Sequence, residues 1–398
     1  MAASEKSPNS FQRQWKVLLA LSVAVVLLVI AAIVVVSFGS RDRPVAARVS
    51  SLKTPSVARV NPDVDVGSPA SGALAPDFEL RDQKGRLTSL REFRGKVVLL
   101  TMIDSHCTTI CPMTTESLVE ALRMLGPAAA HVQLIGINAN PLALRVADVA
   151  DYTRAHDMQG KWRFLTGSLA QLERVWQGYH VYVAAIHNDI DHDPAIFLIG
   201  PHGRERREYL TQLSYEGVAQ QAQILAQGIA RLLPGHPAVR RETSLRYMPP
   251  LGPKDTVRLS AFGSPGRMVV LGGDHPRLLL FFAGWLDENS HLQARLAALA
   301  DYASMAQRRH WPMPVAIDEL STEASPAEAR KLLSALAPKL GAPIVEDASG
   351  RLADGYRVQD LPWFALSSPS GRILWHHDGW LSPAALDRHV RDALSSGS

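Results

Sequence analysis

The chain has 398 residues, 46% hydrophobic and 20% charged, a globular balance that disfavours disorder, collagen-like repeats and a polytopic membrane protein. Lys and Arg total 42 against 38 Asp and Glu, and the resulting charge of +4 lacks the dense basic stripe of a nucleic-acid binder, so no nucleic-acid partner is expected. Cys107 and Cys111 are the only cysteines, which excludes a multi-disulfide scaffold and a four-cysteine zinc site by count.

Residues 1–16 form a short N-terminus carrying Lys6, Arg13 and Lys16. From Val17 to Phe38 no residue is charged. As a helix of about 22 residues this run spans roughly 33 Å, enough to cross a bilayer's hydrocarbon core. The apolar core of a cleavable signal peptide is only about 7 to 15 residues, so the length predicts an uncleaved transmembrane anchor over 17–38. Positive charges flank the segment on both sides, and the flanks alone do not orient it. Residues 39–72, rich in Pro and Ser towards their end, read as a tether.

The first folded domain is expected over 73–235. A hairpin turns at Lys84-Gly85, and Val97 to Met102 is a fully apolar strand. Cys111 opens a helix with Leu118, Leu122 and Leu125 on one face. The pattern then predicts a strand at 132–137, helices at 142–156 and 169–178, and a strand at 195–199. A Pro201-His202-Gly203 turn, a strand at 206–210 and a helix at 216–233 complete the domain. Proline and glycine clusters mark a linker over 236–253. Residues 254–398 repeat the plan, with strands at 255–259, 278–282, 315–317, 363–366 and 372–375 and helices at 290–305, 327–340 and after Ser382-Pro383. The fold class is therefore α/β: tandem domains, each a mixed sheet flanked by helices, behind one transmembrane helix.

Cys107-Thr108-Thr109-Ile110-Cys111-Pro112 lies where an apolar strand ends and a helix begins, the edge where α/β sites form. The helix N-terminus at Cys111 is expected to favour its thiolate and make the pair reactive. A purely structural disulfide between Cys107 and Cys111 would close a loop of only about five residues and remove about 2 kcal/mol of unfolded-state entropy, little for a staple. Redox exchange and metal binding both fit the pair. Three intervening residues bring the sulfurs to a common point about one helical turn apart, and two soft thiolates with one imidazole suit Cu(I) while tolerating Cu(II).

Among 14 histidines, His192 has the best context. Asp191-His192-Asp193-Pro194 precedes the 195–199 strand, which as a parallel neighbour of the 97–102 strand would present it to the cysteines, with Pro194 a candidate cis proline. His106 and Met113 are weaker candidates for an extra ligand, more readily supporting or packing residues, and His187, His376 and His377 are weaker still.

At these residues the sequence resembles the Sco/SenC family of membrane-tethered, thioredoxin-fold copper proteins over residues 73 to 233. The two-cysteine motif followed by Pro matches Cys107, Cys111 and Pro112, and the family's Asp-His before an apolar strand and a Pro-x-Gly turn matches Asp191-His192 and 195–203. The resemblance implies that Cys107, Cys111 and His192 are the copper ligands. It implies delivery of copper to the binuclear CuA centre of cytochrome c oxidase, or reduction of the receiving subunit's thiols. In that reading the partners are the CuA-bearing subunit and a thiol-reductant protein, and Cys107 and Cys111 are also the redox pair. The setting is a bacterial inner membrane crossed once, with both domains on the periplasmic side. The alternative is a metal-free thiol:disulfide oxidoreductase in the same compartment. Two departures stand out: Thr108 where a Pro often follows the first cysteine, and Asn138-Ala139-Asn140-Pro141 in place of an acidic stretch.

In the second half, Phe281 to Asn289 resembles the active-site run of thioredoxin-like reductases, with Leu286 and Asn289 where the cysteines would be. Leu361-Pro362-Trp363 resembles that family's cis-proline loop. The resemblance implies the fold without thiol chemistry, a docking or stabilising module. Trp285, Trp363 and Trp380 are candidates for a partner groove, although aromatics at strand ends are more often core.

Overall fold

A computed structural model describes residue 61 and residues 63–186, 189–240, 248–272, 276–286 and 292–396. The expected anchor at 17–38 lies outside these, as does His187, and no helix among the described residues is long and apolar enough to cross a membrane.

Strand β4 (Val97–Ile103) is buried at every position, which its uninterrupted apolar run dictates. Alternate residues feed opposite faces of the sheet: Val97 and Leu99 join one core cluster, Val98, Leu100 and Met102 another. Around β4 are built β1 (Ser68–Pro69), β2 (Glu79–Asp82), β3 (Leu87–Ser89), β5 (Val132–Asn138), β6 (Trp162–Thr166), β9 (Ala195–Ile199) and β10 (Glu205–Leu210). Their order across the sheet is β1-β10-β9-β4-β5-β6-β2-β3. Strands β4, β5 and β6 run parallel. Helices α1 (Ile110–Leu125), α2 (Val146–Ala155), α3 (Leu169–Gly178) and α4 (Val218–Ala230) cover it, with α1 packed along α4.

The 169–178 helix appears at its expected bounds, capped by Ser168, whose hydroxyl accepts the Gln171 N–H. The helix expected from 142 begins only at Val146. Asn140 Oδ1 accepts the Leu142 N–H at 2.8 Å and Asn138 Nδ2 donates to the Ala143 carbonyl at 2.6 Å, which holds 139–145 as a loop. A short hairpin, β7 (Val183–Ile186) and β8 (Asp189–His192), stands apart from the main sheet.

The second half has a five-stranded sheet in the order β15-β14-β13-β16-β17. Its strands are β13 (Arg277–Phe282), β14 (Met313–Asp318), β15 (Ile344–Glu346), β16 (Trp363–Ser367) and β17 (Ile373–Asp378). A two-stranded ribbon, β11 (Val257–Ser260) and β12 (Met268–Leu271), precedes it. Helices α5 (Leu292–Arg309), α6 (Pro326–Leu336), α7 (Arg351–Tyr356) and α8 (Pro383–Ser396) complete this half. The Leu361-Pro362 bond is cis. Trp285 and Trp363, candidates for an exposed groove, are instead core, 5% and 3% exposed, and Trp380 packs partly buried against the same cluster.

Both sheets lie in one compact unit that runs from residue 58 to the C-terminus. Met113, Tyr215 and Val218 of the first half are buried within the second half's core cluster. Asp354 caps the entry to α4 from across this seam: its carboxylate accepts the Tyr215 N–H at 2.7 Å, the Glu216 N–H at 3.1 Å and the Ser214 hydroxyl at 3.1 Å. Gly350, at φ 71°, approaches Tyr215 so closely that a Cβ would lie 2.4 Å from the Tyr215 carbonyl carbon, and only glycine fits. Asp354→Ala leaves two buried-seam N–H groups without their acceptor, and an unfolding free energy lower by about 2 to 4 kcal/mol is expected in urea titrations.

Candidate copper and thiol site

Strand β4 delivers the chain to a buried turn at Asp104. Its Oδ1 accepts the His106 N–H at 2.8 Å and the Asn140 amide at 2.7 Å, while its carbonyl accepts the Cys107 N–H at 3.2 Å. Asn140 thus braces the cysteine loop. Thr109 precedes the helix and Cys111 is its second residue, 1% exposed, whereas Cys107 sits ahead of the helix and is partly exposed. Both are free thiols, and Cys107 Sγ lies 3.2 Å from the Thr109 hydroxyl.

His192 ends β8. It reaches the cysteines because β9, three residues on, runs antiparallel to β4, not parallel as expected: Thr101 pairs with Ile196, and the Thr101 hydroxyl donates to the Ala195 carbonyl at 2.9 Å. Only this direction puts the start of β9 beside the end of β4. Pro194 is trans, since the one cis bond of the described residues precedes Pro362. His192 Nδ1 lies 3.1 Å from the Asp193 carbonyl, and donation there leaves Nε2 with a free lone pair, 3.7 Å from Cys111 Sγ.

That separation fits a shared ion. A first-row metal held by sulfur at about 2.3 Å and nitrogen at about 2.0 Å, at a trigonal angle of about 120°, requires sulfur and nitrogen about 3.7 Å apart. Among the described residues no three His, Cys, Asp or Glu groups are gathered tightly enough to hold a metal ion together, and Cys111 with His192 is the pair whose spacing fits.

The two thiols differ in how readily they give up a proton. The hydrogen bond from the Cys111 thiol holds Cys107 below the ordinary thiol range, against burial and the charge of Asp104. Burial pushes Cys111 well above that range, and the hydrogen bond to Cys107 adds to it. This reverses the expectation from the helix N-terminus, which favoured a thiolate at Cys111: at 1% exposure, desolvation outweighs the end of the helix. Cys107 is thus the thiol of the pair that ionises more readily.

The other candidates lie elsewhere. His106 is exposed and points to Asp148, 4.0 Å away. Met113 is 1% exposed and serves the core. His376 stacks on Trp363 and His377 on Trp375, both in the second half. Asp104 and the buried His156, whose imidazole is pushed down to about 3 by burial and lies tilted between Tyr152 and Trp285, carry no motif that singles them out in the sequence.

The family model described as SCO1/SenC matches residues 67–227. A mitochondrial SCO2 homologue from Bos taurus is 37% identical over 135 residues, 32% of this chain and 50% of the relative, and the human SCO2 homologue is 35% identical over the same length. The chain spans about half the length of these curated relatives. Among solved structures, copper-bound ScoI of Bradyrhizobium japonicum is 25% identical, with 40% of this chain and all of that chain covered and a TM-score of 0.34.

Proposed function

We propose that this chain, a SCO1/SenC family member through residues 67–227, binds copper through Cys107, Cys111 and His192 and passes it to the CuA-bearing subunit of cytochrome c oxidase. The observation that carries the reading is the 3.7 Å approach of His192 Nε2 to Cys111 Sγ, with Nδ1 directed to a backbone carbonyl. A site of two sulfurs and one imidazole takes either Cu(I) or Cu(II) and stays coordinatively open, so an incoming thiolate can attack without prior loss of a ligand. The copper is cargo. The segment 17–38 holds the protein in a bacterial inner membrane, crossing once, with residues 73–235 and 254–398 as two thioredoxin-like domains on the periplasmic side. There a thiol-reductant protein keeps the pair reduced.

The easier ionisation of Cys107 favours a second reading, metal-free thiol exchange. The Cys107 thiolate would attack a partner's disulfide, one partner sulfur would leave as thiolate, and Cys111 would then displace the other, leaving a Cys107–Cys111 disulfide and a reduced partner.

His192→Ala separates the two. Copper affinity is expected to fall at least about 100-fold, more than loss of a supporting partner produces, while disulfide exchange stays within about threefold. Competition with a Cu(I) chelator and reduction of a model disulfide read the two arms. Unchanged copper affinity would remove His192 from the site.

A further inference from the structure

The cysteine loop is held from outside its own sheet. Thr108, next to Cys107, donates its hydroxyl proton to Asp360 Oδ1, and its carbonyl accepts the Leu361 N–H at 3.3 Å, a donor shared with Asp360 Oδ1 at 2.9 Å. Pro362 follows directly and Trp363 opens β16. Because β16 is antiparallel to β13, with Phe281 paired to Trp363, the 360–362 loop shares a sheet edge with the turn that carries Trp285. Trp285 also crosses the seam, its ring 4.8 Å from His156, whose ring lies 4.1 Å from that of Tyr152. On the helix side of the loop, Ile110 packs against the cores of both halves and Met113 is buried in that of the second. The edge of the second sheet that corresponds to a thiol site, and has no thiols, is thus applied to the loop that has them.

We propose that the second half is a positioning clamp for the thiol site, with Asp360 and Leu361 holding Thr108 and, through it, the placement of Cys107 relative to Cys111. The clamp deepens the copper reading and rests on it only for the identity of the cargo. Cys107 needs such support because it precedes the first helical residue and is fixed on its own side by its N–H bond to Asp104 and its contact with Thr109. Asp360 and Leu361 act through Thr108. The same contacts cover one side of the loop, so an incoming reagent must approach Cys107 from another direction.

The test uses the reduced, copper-free full chain in detergent, with alkylation of Cys107 by iodoacetamide followed by mass spectrometry. Asp360→Ala and Thr108→Val are each expected to speed that alkylation about 10-fold and to weaken Cu(I) binding about 10- to 100-fold. The double variant is expected to go no further than either single one, because both remove the same bond, and Thr108→Ser is expected to restore the original rate. The Thr108 variants read the clamp even if Asp360→Ala fails to fold. Alkylation rates unchanged by Thr108→Val, or effects of the two substitutions that add in full, overturn the clamp. Copper binding by the unsubstituted chain tests the cargo separately, so a chain that binds no copper while its alkylation follows the expected pattern keeps the clamp and loses the copper reading.

Discussion

In the reduced chain near neutral pH, iodoacetamide is expected to label Cys107 at least about 100-fold faster than Cys111, because the thiolate is the nucleophile and Cys111 is both buried and held protonated. Cys107→Ser should therefore remove nearly all fast labelling, and with it both activities in question. Copper affinity should drop by more than the roughly 10- to 100-fold that follows loss of a supporting partner, since a soft, charged donor is exchanged for a neutral hydroxyl. Cys111→Ala should lose copper to a similar degree, but for a second reason as well. It removes the thiol whose hydrogen bond lowers the Cys107 pKa, so Cys107 labelling at pH 7 should slow even though access to it is no worse. Time-resolved labelling with peptide mapping checks the order, and fast labelling of Cys111 ahead of Cys107 would contradict it.

The second large effect concerns pH and the seam between the two sheets. A cavity of about 340 Å3 there is lined by Glu116, Glu216, Glu323, Arg123 and Arg351 among others. Burial pushes Glu116 up to about 8, against the pull of Arg123, and Glu323 up to about 7, while Asp318 and Glu319 behind them are raised well above the usual carboxylate range by burial. Glu116 Oε2, Glu319 Oε2 and both Asp318 oxygens have no hydrogen-bond partner, which favours the protonated, neutral forms. A carboxyl whose folded pKa is raised binds more protons in the folded state than in the unfolded chain. Its stabilisation is complete below the unfolded value near 4.5 and is lost as pH rises through the folded one. At about 1.4 kcal/mol per pH unit, Glu116 alone corresponds to a loss of about 3 to 5 kcal/mol between pH 4.5 and 8.

Two carboxylates and one imidazole work in the opposite sense at lower pH: His156, pushed down to about 3 by burial, stays neutral in the folded chain, and its contribution is lost as pH falls. Asp82, bonded to Arg86, and Asp148, bonded to Arg145, are buried yet held below their usual range by these partners, so their contribution is lost as pH falls. Cys107 also opposes the seam at the alkaline end, and Cys107→Ser removes it from the balance. In that background, urea unfolding is expected to show a maximum near pH 5 to 6 and a stability lower by several kcal/mol at pH 8.5. Glu116→Gln should flatten the slope. A stability that is level or rising from pH 5.5 to 8.5 would mean that the seam carboxyls are not held neutral.

The features legible in the sequence are those with a local signal. The apolar run of β4, the periodicity and cap of α3, the cysteine spacing and the Asp-His ahead of an apolar strand each identify themselves within about a dozen residues. What the sequence hid depends on distant partners. The antiparallel direction of β9, which brings His192 to Cys111, is set by pairing across a sheet rather than by any residue of β9 itself. The hairpin β7–β8 is half-exposed and carries charged residues at Asp189 and Asp191, so it lacks the apolar alternation of a strand against a core. The reversal of the two thiol affinities for the proton follows from the 1% exposure of Cys111, which the first helical turn alone does not reveal. Asp360 lies 252 residues from Thr108, and nothing near either residue marks the bond between them.

The most direct test of the central claim is a Cu(I) titration, against a competing chelator, of the reduced full chain in detergent under anaerobic conditions. One copper per chain is predicted, lost when Cys107 and Cys111 are both replaced by Ser and weakened when His192 is replaced by Ala. Copper retained at unchanged affinity by the double serine variant, or no copper taken up by the unsubstituted chain, would contradict the account.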